Sequence, residues 1–212
     1  MKSIILAGLA GLLALPVFAQ QKEARDVLDK TSAGFRKAGG IEAGFTVRIK
    51  AKGQTDGLLA CKIRLKGDKF VLETTDAITW FDGETQWCYL TAGKEVNISN
   101  PTKEELQGIN PYALLSVYEK GFACTLGRVS VRQGVPVYEV ILTATGKIGE
   151  ISKLTLYVER KTYQPLYILA ELNNGSRNEI TVTHYRSGLK FDDSIFVFNA
   201  SKYPRAEIID LR

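Results

Sequence analysis

The sequence predicts a mostly β domain in which one large antiparallel sheet is interrupted by a few helices. Most of the chain consists of segments where apolar and polar residues alternate, which is typical of strands with one buried face. Short turn-like stretches join these segments, so consecutive strands are expected to pair antiparallel. No linker or low-complexity stretch interrupts the pattern, which indicates a single domain.

The first residues have the pattern of a secretory signal peptide. Lys2 precedes a largely apolar run over residues 4–18, and residues 17–19 form a small-x-small cleavage pattern. Cleavage near Ala19 leaves residues 20–212 as the expected exported domain. The next residue is Gln20 rather than cysteine, so the new N-terminus is not expected to carry a lipid anchor. No later segment is apolar enough to predict a membrane span.

The first half of the exported domain predicts one helix followed by strands. Residues 21–38 form an amphipathic helix with Ala24, Leu28, Thr31 and Phe35 at helical spacing, and two glycines then end it. The period then changes to two, and every odd position over residues 41–52 is apolar. Strands are predicted over residues 41–52, 59–66, 69–75 and 95–99.

Residues 78–90 hold both tryptophans and predict an aromatic β-hairpin. Its two arms are rich in β-branched and aromatic residues, and residues 82–84 form a turn signal between them. A turn of even length places four large side chains on one face, namely Ile78, Trp80, Trp87 and Tyr89. These side chains need a large apolar partner, which is either the protein's own core or a molecule that it carries.

The middle of the chain predicts two short helices before the strands resume. Residues 102–105 fit a capping box, and Asn110-Pro111 is a second start signal for a helix that Gly121 ends. Strands are then predicted over residues 122–132, 135–143, 151–160, 166–172, 177–186 and 195–199. Residues 206–212 are apolar enough for an extra strand, whose place in the sheet stays open.

The sequence predicts no enzyme, no cofactor and no metal centre. His184 is the only histidine and lies in a strand pattern, and neither a nucleophile elbow nor a phosphate-binding glycine loop occurs. Cys61, Cys88 and Cys124 contain no CxxC pair, allow at most one disulfide and are predicted as small buried apolar residues. The formal net charge of +5 comes from basic residues spread over solvated strand faces, so nucleic-acid binding is not expected.

One face of the predicted sheet carries more apolar surface than the few predicted helices can cover. A sheet curled round a cavity and closed by helices covers such a face and leaves room for an apolar ligand. A sandwich with a filled core covers it equally well. The sequence pattern alone leaves both arrangements open.

Four segments of the chain carry a family pattern in a fixed order. They are Phe45-Thr46 after the first helix, RLKGDKF over residues 64–70, ITWFDGETQWCY over residues 78–89, and DSIFVF over residues 193–198. The helix start at Asn110-Pro111, followed by Leu114-Leu115, fits the same pattern. In this order the segments resemble the LolA-like family of periplasmic outer-membrane lipoprotein carriers, and the resemblance spans nearly all of the exported domain.

The resemblance implies an open antiparallel half-barrel covered by a helical lid. It further implies a non-enzymatic periplasmic carrier that moves acylated lipoproteins from the inner toward the outer membrane. Its partners are then an inner-membrane release complex and an outer-membrane acceptor. A lipid-sensing regulatory or protein-binding domain on the same scaffold is the second interpretation, and the natural cargo stays open.

The resemblance also implies site residues. The acyl chains are expected to contact Phe45, Val47, Ile49, Leu59, Ile63, Phe70, Leu72, Trp80, Trp87, Tyr89, Leu114 and Leu115. The arginine with which the family holds the lid corresponds here to Lys66, which lacks the fixed fork of a guanidinium. Arg64, two residues earlier on the same strand face, is the alternative for lid control.

Overall fold

The structure, a computed structural model, describes residues 15–51, 55–102, 105–106, 121–146 and 150–212, with side chains from residue 20 onward. One long helix, α1, spans Leu15–Lys37. Two short 3-10 helices span Asp193–Phe196 and Ala200–Lys202. The strands are β1 Gly40–Lys50, β2 Gly57–Lys66, β3 Lys69–Glu73, β4 Ala77–Phe81, β5 Gln86–Leu90, β6 Glu95–Ser99, β7 Phe122–Leu126, β8 Ser130–Arg132, β9 Val135–Ala144, β10 Ile151–Glu159, β11 Pro165–Leu172, β12 Arg177–Leu189 and β13 Glu207–Asp210.

The described strands form one sheet in the order β13-β6-β5-β4-β3-β2-β1-β12-β11-β10-β9-β7, and β8 pairs with β9. Two meanders, β1 to β6 and β7 to β12, therefore meet where β1 pairs with β12. Neighbouring strands are antiparallel except β13 and β6, which are parallel. In the described part of the chain β13 and β7 do not pair with each other, so the sheet is open. The predicted class, a mostly β fold on an open sheet, is confirmed.

Helix α1 confirms the predicted spacing but begins earlier than predicted. Its described part already includes Leu15, six residues before the predicted start at residue 21, so the predicted cleavage point near Ala19 lies inside the helical segment. Ala24, Leu28 and Thr31 are at most 1% exposed, because the apolar side of the helix packs on the sheet. The cleavage itself stays a prediction.

Two predicted strands differ from the structure, and a third segment receives its place in the sheet. The segment predicted as one strand over residues 122–132 is divided into β7 and β8. Residues 195–199 are not a strand: a 3-10 helix spans Asp193–Phe196, and the Asp192 side chain caps it by accepting a hydrogen bond from the Ser194 N–H at 2.9 Å. The segment that the sequence left without a place forms β13, which adds to β6 at the edge of the sheet.

The capping box predicted at residues 102–105 is confirmed. The Glu105 carboxylate accepts a hydrogen bond from the Thr102 N–H at 2.7 Å, and the Thr102 hydroxyl accepts one from the Glu105 N–H at 3.3 Å. The second predicted helix, which carries Leu114 and Leu115, lies outside the described residues.

The sheet packs a hydrophobic core on each of its two faces. We call the side that α1 covers the helix face and the other side the back face. Phe70 and Val71 are successive residues of β3, and they are 1% and 3% exposed because one lies in each core. The main core fills the space between α1 and the helix face. The smaller core lies on the back face, beneath residues 191–203, which we call the C-terminal segment.

Candidate functional site

The apolar side chains of the helix face become more exposed from one end of the strands to the other. Along β1, Ile41, Ala43 and Phe45 are at most 4% exposed, Val47 is half-buried and Ile49 is 45% exposed. All five share one face because strand side chains alternate. The core therefore closes at the end of β1 that follows α1, and at the other end the described residues leave it partly exposed.

The neighbouring strands show the same change in exposure. On β2, Ile63 is fully buried while Leu59 is half-buried, and on β5 Leu90 is 37% exposed. Cross-strand pairs place Val47 opposite Leu59 and Ile63 opposite Leu72, so these side chains form one continuous surface. We call this surface the open end, and it consists of Val47, Ile49, Leu59, Leu72 and Leu90.

The structure divides the predicted acyl-contact residues into two groups. Seven lie on the helix face, where Phe45, Ile63 and Phe70 are buried in the main core and the others, Val47, Ile49, Leu59 and Leu72, belong to the open end. The aromatic residues of the hairpin lie on the back face instead. The list of predicted acyl contacts implied one shared face for the hairpin and the strand residues, and this implication is wrong.

The pairing of β3 with β4 explains this correction. Phe70 lies opposite Phe81 on the helix face, and Val71 lies opposite Trp80 on the back face. Trp80 in turn lies opposite Trp87, so both tryptophans point away from α1. The prediction that the large hairpin side chains share one face is confirmed, but that face is the back face.

The partner of the hairpin is the protein's own C-terminal segment. The Trp80 ring lies 5.5 Å from the Phe198 ring and 5.6 Å from the Tyr203 ring, measured between centroids, and Tyr89 lies 4.7 Å from Tyr203. Burial in this cluster raises the pKa of Tyr203. The sequence allowed two partners for these side chains, the protein's own core or a molecule that it carries. The structure shows that they pack in the protein's own core.

Hydrogen bonds from Lys66 and Lys69 hold the C-terminal segment against the sheet. The Lys66 ammonium donates to the Phe191 carbonyl at 2.9 Å and to Asp193 Oδ1 at 2.7 Å, and Lys69 donates to Asp193 Oδ2 at 2.7 Å. These hydrogen bonds lower the pKa of Asp193 to about 2. Among the described residues, Lys66 therefore holds this segment, and its control of a lid stays a prediction.

Arg64 lies on the same face as Lys66, as predicted, and its described partners are carboxylates of neighbouring strands. Its guanidinium is 2.9 Å from Glu73 and 3.4 Å from Glu42. Lys62 also contacts Glu42, at 3.1 Å, and its hydrogen bond is the main cause of the lowered pKa of that carboxyl group. His184 Nε2 lies 3.8 Å from the same group, so the single histidine is part of a surface charge cluster.

The three cysteines are free thiols in different surroundings. Cys61 is buried, and its burial raises the pKa of the thiol to about 11. Cys124 is fully buried and its pKa is raised for the same reason. Cys88 is only half-buried, and it lies on the helix face of β5 beside Leu90. The described residues contain no cluster of side chains suited to hold a metal ion.

A cleft of about 740 Å³ lies beside the helix face at the opposite end of β5 and β6. Five of its seven described lining residues are polar or charged, although apolar atoms contribute the larger part of the surface. The Gln86 amide oxygen is buried without a hydrogen-bond partner in the described part of the chain. Sequence reasoning missed this cleft, because its residues come from three separate segments. The lining residues are Gln86, Ser99, Asn100, Pro101, Glu105, Leu211 and Arg212.

Helix α1 is the one long helix among the described residues, and neither it nor any shorter described helix is long and apolar enough to cross a membrane.

Comparison with known proteins identifies the family. Residues 15–174 match the profile of the family described as outer membrane lipoprotein carrier protein LolA. The match covers most of the chain, and the protein belongs to this family. The sequence matches no curated protein.

Solved structures with a TM-score of at least 0.50 share the fold at low sequence identity. An uncharacterized conserved protein from Thermus thermophilus is 11% identical, with a TM-score of 0.61 over 89% of this chain and 99% of that one. A DUF1329 family protein from Desulfovibrio piger is 13% identical, with a TM-score of 0.50 over 84% and 97%. A LolA superfamily protein from Nitrosomonas europaea is 14% identical, with a TM-score of 0.45 over 82% and 97%. The family and its fold fit a binding or carrier role rather than an enzymatic one.

Proposed function

We propose that this protein is a non-enzymatic carrier that holds acyl chains of lipoproteins, or of a related hydrophobic cargo, on the open end of the helix face. The observation that carries the proposal is the change in exposure along β1, from Phe45 at 4% to Ile49 at 45%. Among the described residues, a continuous core ends in an exposed apolar surface, and a molecule with long methylene chains can extend that core.

The energetics of acyl chains suit such a surface. Each methylene that leaves water contributes about 0.8 kcal/mol, so roughly ten methylenes contribute about 8 kcal/mol before the costs of ordering are subtracted. Val47, Ile49, Leu59 and Leu72 supply direct contacts in this proposal. The buried residues Phe45, Ile63 and Phe70 form the floor beneath them.

The proposal includes a cover for the bound chain. Leu114 and Leu115, in the predicted helix after Asn110-Pro111, are proposed to lie over the acyl chain as part of a lid. A lid shields the apolar surface between loading and release, which a carrier in water requires. Lys66 and Arg64 are proposed to influence the lid only through the elements they hold, since their described partners lie on the back face.

The cellular setting is part of the same proposal. Residues 1–19 are proposed as a signal peptide and residues 20–212 as one carrier domain in the periplasm. The carrier receives acylated lipoproteins from a release complex in the inner membrane and delivers them to an acceptor in the outer membrane. The family match supports this route.

A binding competition tests the proposal. The mature protein is titrated with a fluorescent fatty-acyl probe, and the bound probe is then displaced by a triacylated lipopeptide or by the same peptide without acyl chains. We expect the probe to bind and only the acylated peptide to displace it. A probe that stays free, or equal displacement by both peptides, contradicts the proposal.

A further inference from the structure

The back face carries a cluster of charged side chains on β1 and on its two neighbours, β2 and β12. Glu42 of β1 lies opposite Arg64 on β2 and opposite Arg186 on β12. Two residues further along the same face, β2 contributes Lys62 and β12 contributes His184. Three cations and the histidine therefore surround one carboxylate, because side chains in register project from the same face of a sheet.

The single carboxylate in the middle pairs closely with two of these cations. Glu42 lies 3.1 Å from Lys62 Nζ and 3.4 Å from Arg64 Nε. Arg186 Nη1 is 3.7 Å from Glu42, too far for a hydrogen bond, and no described group accepts a hydrogen bond from this guanidinium. The side chain of Arg186 is 64% exposed. It therefore keeps a planar set of N–H donors that suits a further carboxylate.

The other acids of this network do not neutralise it. Arg64 also contacts Glu73, at 2.9 Å, and Asp193 is shared by Lys66 and Lys69. Five cations stand against four carboxylates, namely Lys62, Arg64, Lys66, Lys69 and Arg186 against Glu42, Glu73, Asp192 and Asp193. The excess positive charge is exposed at Arg186, the cation without a hydrogen bond in the described part of the chain.

The C-terminal segment forms a wall on one side of the cluster. It begins over the start of β1, where a Cβ at Gly40 would lie 2.7 Å from the Phe191 ring. Lys66, opposite Gly40 on β2, donates to the Phe191 carbonyl. Gly40 and Glu42 are successive residues of the back face of β1, so this wall ends directly beside the cluster.

The turn between β8 and β9 forms a wall on the other side. The Arg132 guanidinium lies 4.0 Å from the centroid of Tyr157 and 4.6 Å from that of Tyr167. Both rings are on the back face, since their strand neighbours belong to the main core. Gln133 reaches further and donates to the Val182 carbonyl of β12 at 3.2 Å. We call the floor between the two walls the back-face channel, and it consists of Glu42, Gly44, Lys62, Arg64, His184 and Arg186.

We propose that the back-face channel binds an acidic, extended polypeptide segment of a partner protein, with a carboxylate of that segment pairing with Arg186. The excess of cations supports the acidic character, because interfaces pair opposite charges. The two walls favour a narrow segment over a bilayer, whose planar surface does not reach a floor between raised segments. The inference does not depend on acyl binding, since the channel and the open end lie on opposite faces of the sheet.

A labelled hexaglutamate peptide serves as the probe, titrated against the mature protein and followed by fluorescence anisotropy. We expect saturable binding of one peptide per protein, which weakens as NaCl is added because salt screens exposed charges. Hexaglutamine with the same label should not bind.

Two variants with opposite effects locate the site. Arg186→Ala should weaken hexaglutamate binding about fivefold, within the range of a single exposed ion pair. Glu42→Gln should tighten it about threefold, because the competing carboxylate is removed. Circular dichroism shows whether each variant is folded.

Arg177→Ala is the matched control, because it removes the same charge from the same face of the same strand. Arg177 is 59% exposed and lies nine residues from Arg186 on β12, which corresponds to about 30 Å. It should leave hexaglutamate binding unchanged.

Three results overturn the inference. Equal losses in Arg186→Ala and Arg177→Ala show general attraction to a basic protein, and displacement of the probe by inorganic phosphate at equal concentration shows a site for small anions. Displacement by phosphatidylglycerol vesicles shows a lipid surface instead. Arg186→Ala should also keep the affinity of the wild type for the fluorescent acyl probe, so the carrier proposal and the channel proposal can fail separately.

Discussion

Two adjacent leucines on β2 provide a direct test of which sheet face binds acyl chains. Leu59 lies on the helix face at the open end, opposite Val47, and Leu58 lies on the back face, opposite Arg48. Leu58 is 67% exposed, so its replacement disturbs no core. Leu59→Asp and Leu58→Asp place the same charge on the same strand, one residue apart, on opposite faces.

The expected effect of Leu59→Asp follows from the width of one side chain. A carboxylate at the open end stays hydrated, so we expect it to keep roughly three methylenes of a bound chain in water. At about 0.8 kcal/mol each, the loss is about 2.4 kcal/mol, or about 50-fold in Kd. Leu58→Asp should change the Kd by less than about twofold, because the proposed acyl site does not include the back face.

The assay is the equilibrium binding of a fluorescent acyl probe, with circular dichroism and urea unfolding as controls for folding. Leu59→Asp also lowers stability, because Leu59 is half-buried against the main core. Affinity is therefore compared only at urea concentrations where both variants are folded. Equal losses of affinity in the two variants, or unchanged binding by folded Leu59→Asp, refute the assignment of the site to the helix face.

Three further predictions concern the thiols, the aromatic cluster and the C-terminal segment. With its pKa at about 11, Cys61 is roughly one thousandth thiolate at pH 8, so a thiol reagent should modify the half-exposed Cys88 first. Bound acyl ligand should slow this modification, as peptide mass spectrometry would show, and an unchanged rate argues against cargo on β5. Trp80→Ala should lower the free energy of unfolding by about 3–5 kcal/mol in urea, while the folded fraction keeps its acyl affinity. If Trp80→Ala instead lost acyl binding without any loss of stability, Trp80 would contact the cargo rather than form part of the core. The folded-state pKa of Asp193, about 2, lies below its ordinary value of 3.8, so its pairing with Lys66 stabilises the fold above pH 3.8 and is lost as the pH falls toward 2. Tryptophan fluorescence should change over this range in the native protein but much less in Asp193→Asn, and identical titrations of the two proteins speak against the role of this pairing.

The strand pairs could be predicted from the sequence because their signals are local. In the hairpin of β4 and β5, Trp80 and Trp87 share one face as predicted, since the turn has an even number of residues and the two tryptophans lie opposite each other. Asp82 fixes that turn: its side chain accepts hydrogen bonds from the N–H groups of Glu84 at 3.0 Å and Thr85 at 2.8 Å. Such an aspartate turn can be read from the sequence alone.

The assignment of faces could not be predicted, because it depends on how successive strands follow one another. Alternation shows which residues of one strand share a face, but on β3 both Phe70 and Val71 are buried. A strand with a core on each side loses the polar positions that mark its outer face. The sequence therefore could not show that Trp80 pairs with Val71 rather than lying beside Phe70.

The C-terminal region was hard to predict for a different reason. The apolar residues of the C-terminal segment pack against a hairpin that is distant in the sequence. Phe198 and Tyr203 contact Trp80, so their spacing does not show the alternation of a strand. The edge strand β13 pairs with β6, which lies more than 100 residues earlier in the chain. No local sequence signal specifies that pairing. The cleft of about 740 Å³ depends on the same long-range arrangement, since Gln86 and Arg212 both line it.

The most direct test of a carrier function is native mass spectrometry of the mature protein, purified gently from the periplasm before any detergent is added. We predict an adduct with the mass of an acylated polypeptide or a lipid, and we expect Leu59→Asp purified in the same way to lack it. The mass of the protein without any adduct, combined with no binding of a fluorescent acyl probe, would contradict a carrier function. It would favour a domain with a filled core and a protein-binding role.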